Sequence, residues 1–444
     1  MKRIAVIGAG AAGCFCTAEL RRLRPDFRVD VYESGPKALA KVAVTGGGRC
    51  NLTNSFEGIR SLAEAYPRGE RLMKRLMKQF SQEDTWRWFE SAGVPLVLQE
   101  DHCVFPRSQD AMDIVHALLR RMEGANLLLR TPVHRIETPD QVGGDGSITK
   151  VGGDGNITKV GGDGNITKVG GDGSITKVGG DEALIPGLTR NLLVDGTPYD
   201  AVVMTTGGAP KGLPMLDGLD LEWVPTVPSL FTFTIRDEGL RSLMGLVVDA
   251  SVSIPGTAFK ADGPLLITDW GLSGPAVLKL SSYAARHLHE AGYQAPLSVN
   301  WLGLNEAETR EILQETAAGN PRKQVSNTPV AGLQARLWNH LIAKAGLRAD
   351  IRWAELGSKG LNRLVSTLTQ DTYAIAGKTK FREEFVTCGG VALGNLDSAT
   401  LESKRHPGLY FAGEVLDIDA ITGGFNLQAA WTTGAAVARS IAAK

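Results

Sequence analysis

The chain has 444 residues, with 48 Lys plus Arg against 48 Asp plus Glu, 43% hydrophobic residues and 22% charged ones. Zero formal net charge argues against a whole-molecule electrostatic footprint for nucleic acid or an anionic membrane, and the composition excludes a wholly disordered chain. The length implies two or three domains with sizeable cores.

Residues 4–7 read as a strand that enters the turn Gly8-Ala9-Gly10-Ala11-Ala12-Gly13, followed by a helix over 11–22 and a second strand over 28–32. No apolar run is long enough to span a bilayer, and a chain opening on a strand lacks the look of a secretion signal, so a soluble, cytoplasmic protein is expected. Cys14 and Cys16 fall on the first helix as packing residues. The five cysteines are scattered without a CxxC pair and the seven histidines without an HExxH, so neither a disulfide framework nor a metal site is expected.

Next comes the polar, glycine-dense segment Thr45-Gly46-Gly47-Gly48-Arg49-Cys50-Asn51-Leu52-Thr53-Asn54. Arg71, Lys74, Arg75 and Lys78 form a basic stripe at helical spacing opposite Leu72, Met73, Leu76 and Met77, either a solvated face or a contact for RNA phosphate. Ser81 and Asp84 predict a capping box, residues 109–123 a helix, and 127–129 and 133–136 strands. Residues 142–177 are four copies of a nine-residue unit, VGGDG(S/N)ITK, with a broken fifth start up to Asp181. Against the calcium-binding nonapeptide template, Ile157 takes the aspartate position and Lys159 the apolar one, so that reading fails on its ligands. Gly-Asp-Gly is turn chemistry and Ile-Thr-Lys-Val a short strand, which predicts a surface insertion, weakly ordered or stacked as a small β-ribbon, without catalytic role.

After the repeats come strands over 191–194 and 201–204, and then Pro210, Pro214, Pro225 and Pro228, which mark a crossing between domains. Residues 226–253 look β-rich, with alternation over 230–235; 305–318 and 331–345 are amphipathic helices; 409–412 is a last strand and 426–443 a last helix.

The first motif is GxGxxG in its required setting, between a strand and a helix, with Glu33 ending the next strand. Gly8, Gly10 and Gly13 permit the turn, the approach of a pyrophosphate and close helix packing, and the amides of Ala11 and Ala12 at the helix start meet phosphate charge. Glu33 suits the ribose hydroxyls of an adenosine and would repel a 2′-phosphate. Two distant segments select FAD over NAD. Tyr199 to Gly208 is a strand whose end, with Thr206 and Gly207, matches the second strand-turn of two-dinucleotide flavoproteins; Gly413-Glu414 places an acid where a ribityl chain passes. Thr422-Gly423-Gly424-Phe425-Asn426 opens a helix whose amides face the flavin pyrimidine.

With Thr45 to Asn54, Thr268 to Pro275, Val386 to Val391, Glu402 to Lys404, Gly413 to Asp417 and Gly423 to Gln428, the chain resembles the YhiN/BaiN-like family of FAD-dependent (NAD(P)/FAD) oxidoreductases. The resemblance implies an α/β fold: a Rossmann-like FAD-binding domain split in sequence, with an inserted β-barrel-like module and a small helical subdomain. Residues 1–212 and 386–444 would make the FAD-binding domain and 213–385 the inserted substrate domain. It also implies reduction of carbon–carbon double bonds, in members acting on a ribosomal RNA uridine or on unsaturated bile acid intermediates. Asp269 stands where many members have His, and Cys103 where many have Arg.

The expected function is an FAD-dependent oxidoreductase reducing a conjugated or heteroaromatic C=C bond by hydride transfer from flavin N5. The partner is a small-molecule substrate or ribosomal RNA; the alternatives are an rRNA-modifying flavoenzyme forming dihydrouridine and a flavoprotein with a mainly binding role. NAD(P)H would serve as a transient electron donor, since no second GxGxxG stands between a strand and a helix. Arg49 would balance pyrophosphate charge or face the flavin ring, with Asn51 as a further donor. Cys50 and Cys388 are the two candidate proton donors, each with a plain packing role as its alternative.

Overall fold

A computed structural model describes residues 1–138, 148–151, 157–160, 166–169, 175–178, 192–208, 212–378 and 386–444. At its centre is a five-stranded parallel sheet in the order Leu409–Phe411, Ala201–Met204, Arg3–Ile7, Arg28–Tyr32, Asn126–Leu128. The middle strand is covered on both faces, which is why it reads as an unbroken apolar run: Ile4, Ala5 and Val6 are fully buried. Strands from both ends of the sequence therefore lie side by side, with Ile4 opposite Ala201 and Val203 opposite Tyr410.

The first helix, Ala11–Leu23, packs on the last, Phe425–Ala443. The contact is close because Gly434 has no side chain: a Cβ there would stand 2.9 Å from the Ala12 carbonyl oxygen. Phe15 and Trp431 meet across it at 5.4 Å between ring centroids. The Ser81–Asp84 capping box opens the helix Gln82–Ser91 as its spacing predicts.

A second core runs from Phe231 to Ile375. It fills a closed six-stranded barrel in the order Phe233–Ile235, Gly271–Ser273, Lys260–Ile267, Val247–Ser253, Ala295–Asn300, Asp371–Lys378, with helices Glu306–Gly319, Ala335–Lys344 and Gly357–Thr369 alongside. Pro225 and Pro228 lie within the strand Trp223–Ser229, which pairs antiparallel with Val386–Val391 and carries the chain between the two cores. Pro210 lies outside the described residues.

Two local expectations are corrected, and the ribbon expected of the repeats is met. The strand expected over 230–235 begins only at Phe233, because Leu230 has a left-handed backbone (φ 56°). The strand expected over 133–136 is Ile136–Glu137. The repeats give four strands, Ile148–Val151, Ile157–Val160, Ile166–Val169 and Ile175–Val178, paired antiparallel in sequence order as a β-ribbon; their turns lie outside the described residues. Among the described residues, no helix is long and apolar enough to cross a membrane.

Candidate active site

The turn after the first strand is closed on its protein side. A Cβ on Gly8 (φ 108°) would lie 2.5 Å from the Thr205 carbonyl oxygen, and one on Gly13 would lie 2.0 Å from that of Gly8. The Thr205 hydroxyl stitches the two sheet strands here, donating to the carbonyls of Ile7 (3.0 Å) and Gly8 (2.8 Å). Around Gly10, by contrast, no atom lies within 4 Å of where a Cβ would be, so the turn is open towards a cleft. Gly10 caps the first helix without any side-chain bond, which leaves its first amides for a ligand.

That cleft has a volume of about 580 Å³. Most of the expected cofactor residues line it: Gly8, Gly10, Ala11, Ala12, Glu33, Thr45, Gly46, Gly47, Asn51, Thr206, Gly207, Gly413, Glu414, Thr422, Gly423, Gly424 and Asn426. The Glu33 carboxylate is fixed at the end of its strand by the amides of Ala9 (3.0 Å) and Gly35 (2.7 Å). Glu414 accepts the Thr387 amide at 2.8 Å and has the ammonium of Lys41 at 3.8 Å. Asn426 turns its side-chain amide back onto the Ala420 backbone, accepting and donating at 3.0 Å. Thr206 brings a buried hydroxyl, without a hydrogen-bond partner among the described residues, into the wall.

Apolar side chains complete the lining, among them Leu230, Leu278, Val386, Ile418 and Ile421. Neither these residues nor Lys37 and Lys41, which stand at the rim, carried a signal in the sequence beyond ordinary composition. A wider groove of about 800 Å³ on the barrel, lined by Arg236, Asp237, Pro296 and Thr372 among others, holds none of the motif residues.

Several expected site residues do not reach the cleft wall. Gly13 packs beneath the turn. Gly48 lies past the cleft, where the chain leaves the interrupted helix Ala40–Gly48. Arg49 points away, its guanidinium 4.6 Å from the Phe105 ring and bonded to the Gly46 carbonyl at 3.3 Å. The Phe425 ring turns into the core against Phe56, at 5.0 Å. Cys50 and Cys388 are fully buried outside the cleft lining. Burial pushes the Cys50 thiol up to about 12. For Cys388 burial, reinforced by Asp419 against Arg68 and Arg286, pushes it up to about 11. A thiol so held is a weak acid at neutral pH, and neither lines the cleft.

Residues 2–440 match the family described as HI0933-like protein Rossmann domain. The chain belongs to this family. It is 29% identical over 453 residues to a ribosomal RNA dihydrouridine synthase of Escherichia coli (strain K12), covering 99% of this chain and 97% of that protein. A 3-dehydro-bile acid delta(4,6)-reductase of Clostridium scindens is 26% identical over 456 residues, with 100% and 99% covered. A ribosomal RNA dihydrouridine synthase of Haemophilus influenzae is 28% identical over 451 residues, with 98% and 97% covered. As a member of the family the chain is an FAD-dependent oxidoreductase. The cleft fits the cofactor on its own terms, since it offers a turn open only on the ligand side, uncapped helix amides and the orphaned Thr206 hydroxyl.

Proposed function

We propose that the enzyme reduces a C=C bond conjugated to a carbonyl, with adenosine at Glu33, pyrophosphate over Gly8 to Gly13, ribityl beside Glu414 and Thr206, and the flavin ring against Thr422 to Asn426. One observation carries this reading: the motif glycines and the helix starts share the lining of a single cleft with the apolar side chains of Leu230, Leu278 and Val386. Bound flavin supplies the hydride. The chain's own part is to orient the acceptor in the cleft; the proton that must join the other carbon would come from solvent water reaching the cleft, since neither thiol is given that role. Residues 1–212 and 386–444 are the FAD-binding domain in this reading, and 213–385 the substrate module.

Cys50 and Cys388 are assigned packing roles rather than proton donation. Cys50→Ser and Cys388→Ala should each keep turnover within about threefold of wild type. A far larger loss in kcat with flavin still bound would restore a thiol as the acid.

A cytoplasmic enzyme with a small conjugated ketone as substrate is the main proposal. A uracil ring in ribosomal RNA presents the same acceptor, a C=C bond next to a carbonyl. It is the second reading, supported by the relatives' names and by the exposed stripe Arg71, Lys74, Arg75 and Lys78 beside the buried Leu72, Met73 and Leu76. The test is anaerobic reduction with NADH and NADPH, followed by mixing with a conjugated enone, beside mass analysis of rRNA dihydrouridine in a deletion strain. Reoxidation by the enone with unchanged rRNA supports the main proposal; loss of dihydrouridine without reoxidation by the enone selects the second. Bound flavin that neither nicotinamide reduces would remove NAD(P)H as the donor.

A further inference from the structure

One peptide unit in the cleft wall, Gly423 C=O to Gly424 N–H, is gripped at both ends by side-chain amides from a segment some 370 residues away. Asn54 Nδ2 donates to the Gly423 carbonyl oxygen at 3.0 Å. With its side-chain amide oriented so that oxygen and nitrogen each meet a complementary group, Asn51 accepts from the Gly424 amide at 3.3 Å. Each asparagine is anchored at its other end, Asn54 by the Phe56 amide at 2.8 Å and Asn51 by the Thr53 carbonyl oxygen at 3.0 Å. Asn54 is therefore held at both ends as observed, and Asn51 in the one orientation of its amide that satisfies both its atoms.

A peptide flanked by two glycines, here at φ 127° and 87°, has little to stop it turning about its own axis. It needs an external hold, and the strand Thr53–Asn54 is close enough to give one: a Cβ on Gly424 would stand 2.3 Å from the Thr53 carbonyl oxygen. The helix Phe425–Ala443 starts immediately afterwards, with no side-chain cap of its own on Gly424 as N-cap. The wall made by Gly423, Gly424 and Asn426 is thus the positive end of a 19-residue helix.

Resting on the placement of the flavin ring at Thr422 to Asn426, we propose that Asn51 and Asn54 are positioning residues that lock the Gly423–Gly424 peptide with its carbonyl directed to Asn54. Negative charge gathering on a bound flavin as it is reduced then meets helix amides unopposed. Released, the peptide can turn its oxygen towards that charge, and the reduced cofactor loses stabilisation that the oxidised one never had.

The packing of the segment does not depend on these two amides. Thr53 Oγ1 donates to Gln428 Oε1 at 2.5 Å, Trp431 Nε1 to the Leu52 carbonyl at 2.8 Å, and the Tyr66 hydroxyl to the Phe425 carbonyl at 2.9 Å. The experiment is an anaerobic redox titration of flavin-loaded wild type, Asn54→Ala and Asn51→Ala, with Thr53→Val as a control that loosens the segment without touching the peptide. Binding of reduced relative to oxidised FAD should fall about tenfold in both asparagine variants, a drop of about 30 mV for a two-electron couple, and stay at wild type in the control. Asparagine variants at wild-type potential, whether or not they hold less flavin, would overturn the proposal; so would a control that drops equally. Should Asn54→Ala not fold, Asn51→Ala decides alone. Wild type that takes up no FAD would instead overturn the cofactor placement, and the proposal with it.

Discussion

The two walls of the cleft are built on different principles. One part of the lining is presented mainly by backbone: Gly8, Gly10, Gly207, Gly413 and Gly423 belong to it, and its geometry is enforced by contacts that admit no Cβ at Gly8 or Gly13. The other part is made of apolar side chains, Leu230, Leu278 and Val386, for which any apolar residue of similar size would serve. A backbone wall tolerates almost no substitution, whereas a side-chain wall is free to change with the substrate.

The largest effect is expected where the backbone wall is broken outright. In Gly13→Val the new side chain must occupy space 2.0 Å from the Gly8 oxygen and 2.5 Å from the Thr205 hydroxyl, so strand, turn and helix cannot keep their places. The variant should lose more than nine-tenths of its flavin absorbance per mole of protein and about 3 kcal/mol or more of stability in urea. Flavin at wild-type stoichiometry would show that the turn does not carry the cofactor.

The junction between the walls comes next. Arg68 grips Asp419 with two guanidinium bonds, one of them Nε to Oδ1 at 2.6 Å, and donates to the Ser282 carbonyl at 2.9 Å; Ser229 donates to the same carboxylate at 3.1 Å. Asp419 is fully buried beside the cleft residue Ile418, while Ser229 and Ser282 belong to the barrel side. Removing the cation in Arg68→Ala strands a buried carboxylate, at a cost of about 3–5 kcal/mol. Chemical denaturation should show it. If the two cores unfold separately in the variant and together in wild type, this pair is what couples the walls.

How much of this was legible in the sequence follows the same division. The strand Arg28–Tyr32, the Ser81–Asp84 box, and the turn from Gly8 to Gly13 were readable because local geometry demands particular residues at fixed spacing. The segment Thr45 to Asn54 was legible as a polar, glycine-dense stretch, but not which of its side chains reach the cleft. Arg49 and Cys50 carry the chemistry that attracts attention, but the left-handed backbone at Gly46, Gly47 and Cys50 turns their side chains towards Phe105 and the core and leaves Asn51 at the cleft. No linear spacing reports such a reversal. Leu278 and Val386 were invisible as site residues because apolar side chains far apart in sequence look like core until the fold brings them together.

A milder change tests the side-chain wall. Leu278→Ala, on the half-buried flank of the helix Pro275–Tyr283, should leave flavin content at wild type and raise KM for the preferred substrate about tenfold, through about 1.4 kcal/mol of lost apolar contact. A fall in flavin content instead would mean that this wall holds the cofactor as well, and the division between the walls would fail.

The smallest effect is expected from the repeats, although they are the most conspicuous feature of the sequence. The ribbon leaves and rejoins the fold between two neighbouring antiparallel strands, since Glu137 pairs with Leu193 and Ile136 with Val194. The ends of the insertion are therefore held together by the sheet itself, and shortening the connection by deleting residues 142–180 changes only a loop-closure entropy that varies slowly with length. Among the described residues the four repeat strands pair with one another and not with the parallel sheet or the barrel. The deletion should keep flavin content and turnover within about twofold, and stability within about 1 kcal/mol. Loss of activity with flavin still bound would show that the ribbon reaches the substrate, adding a third wall to a cleft that the geometry builds from two.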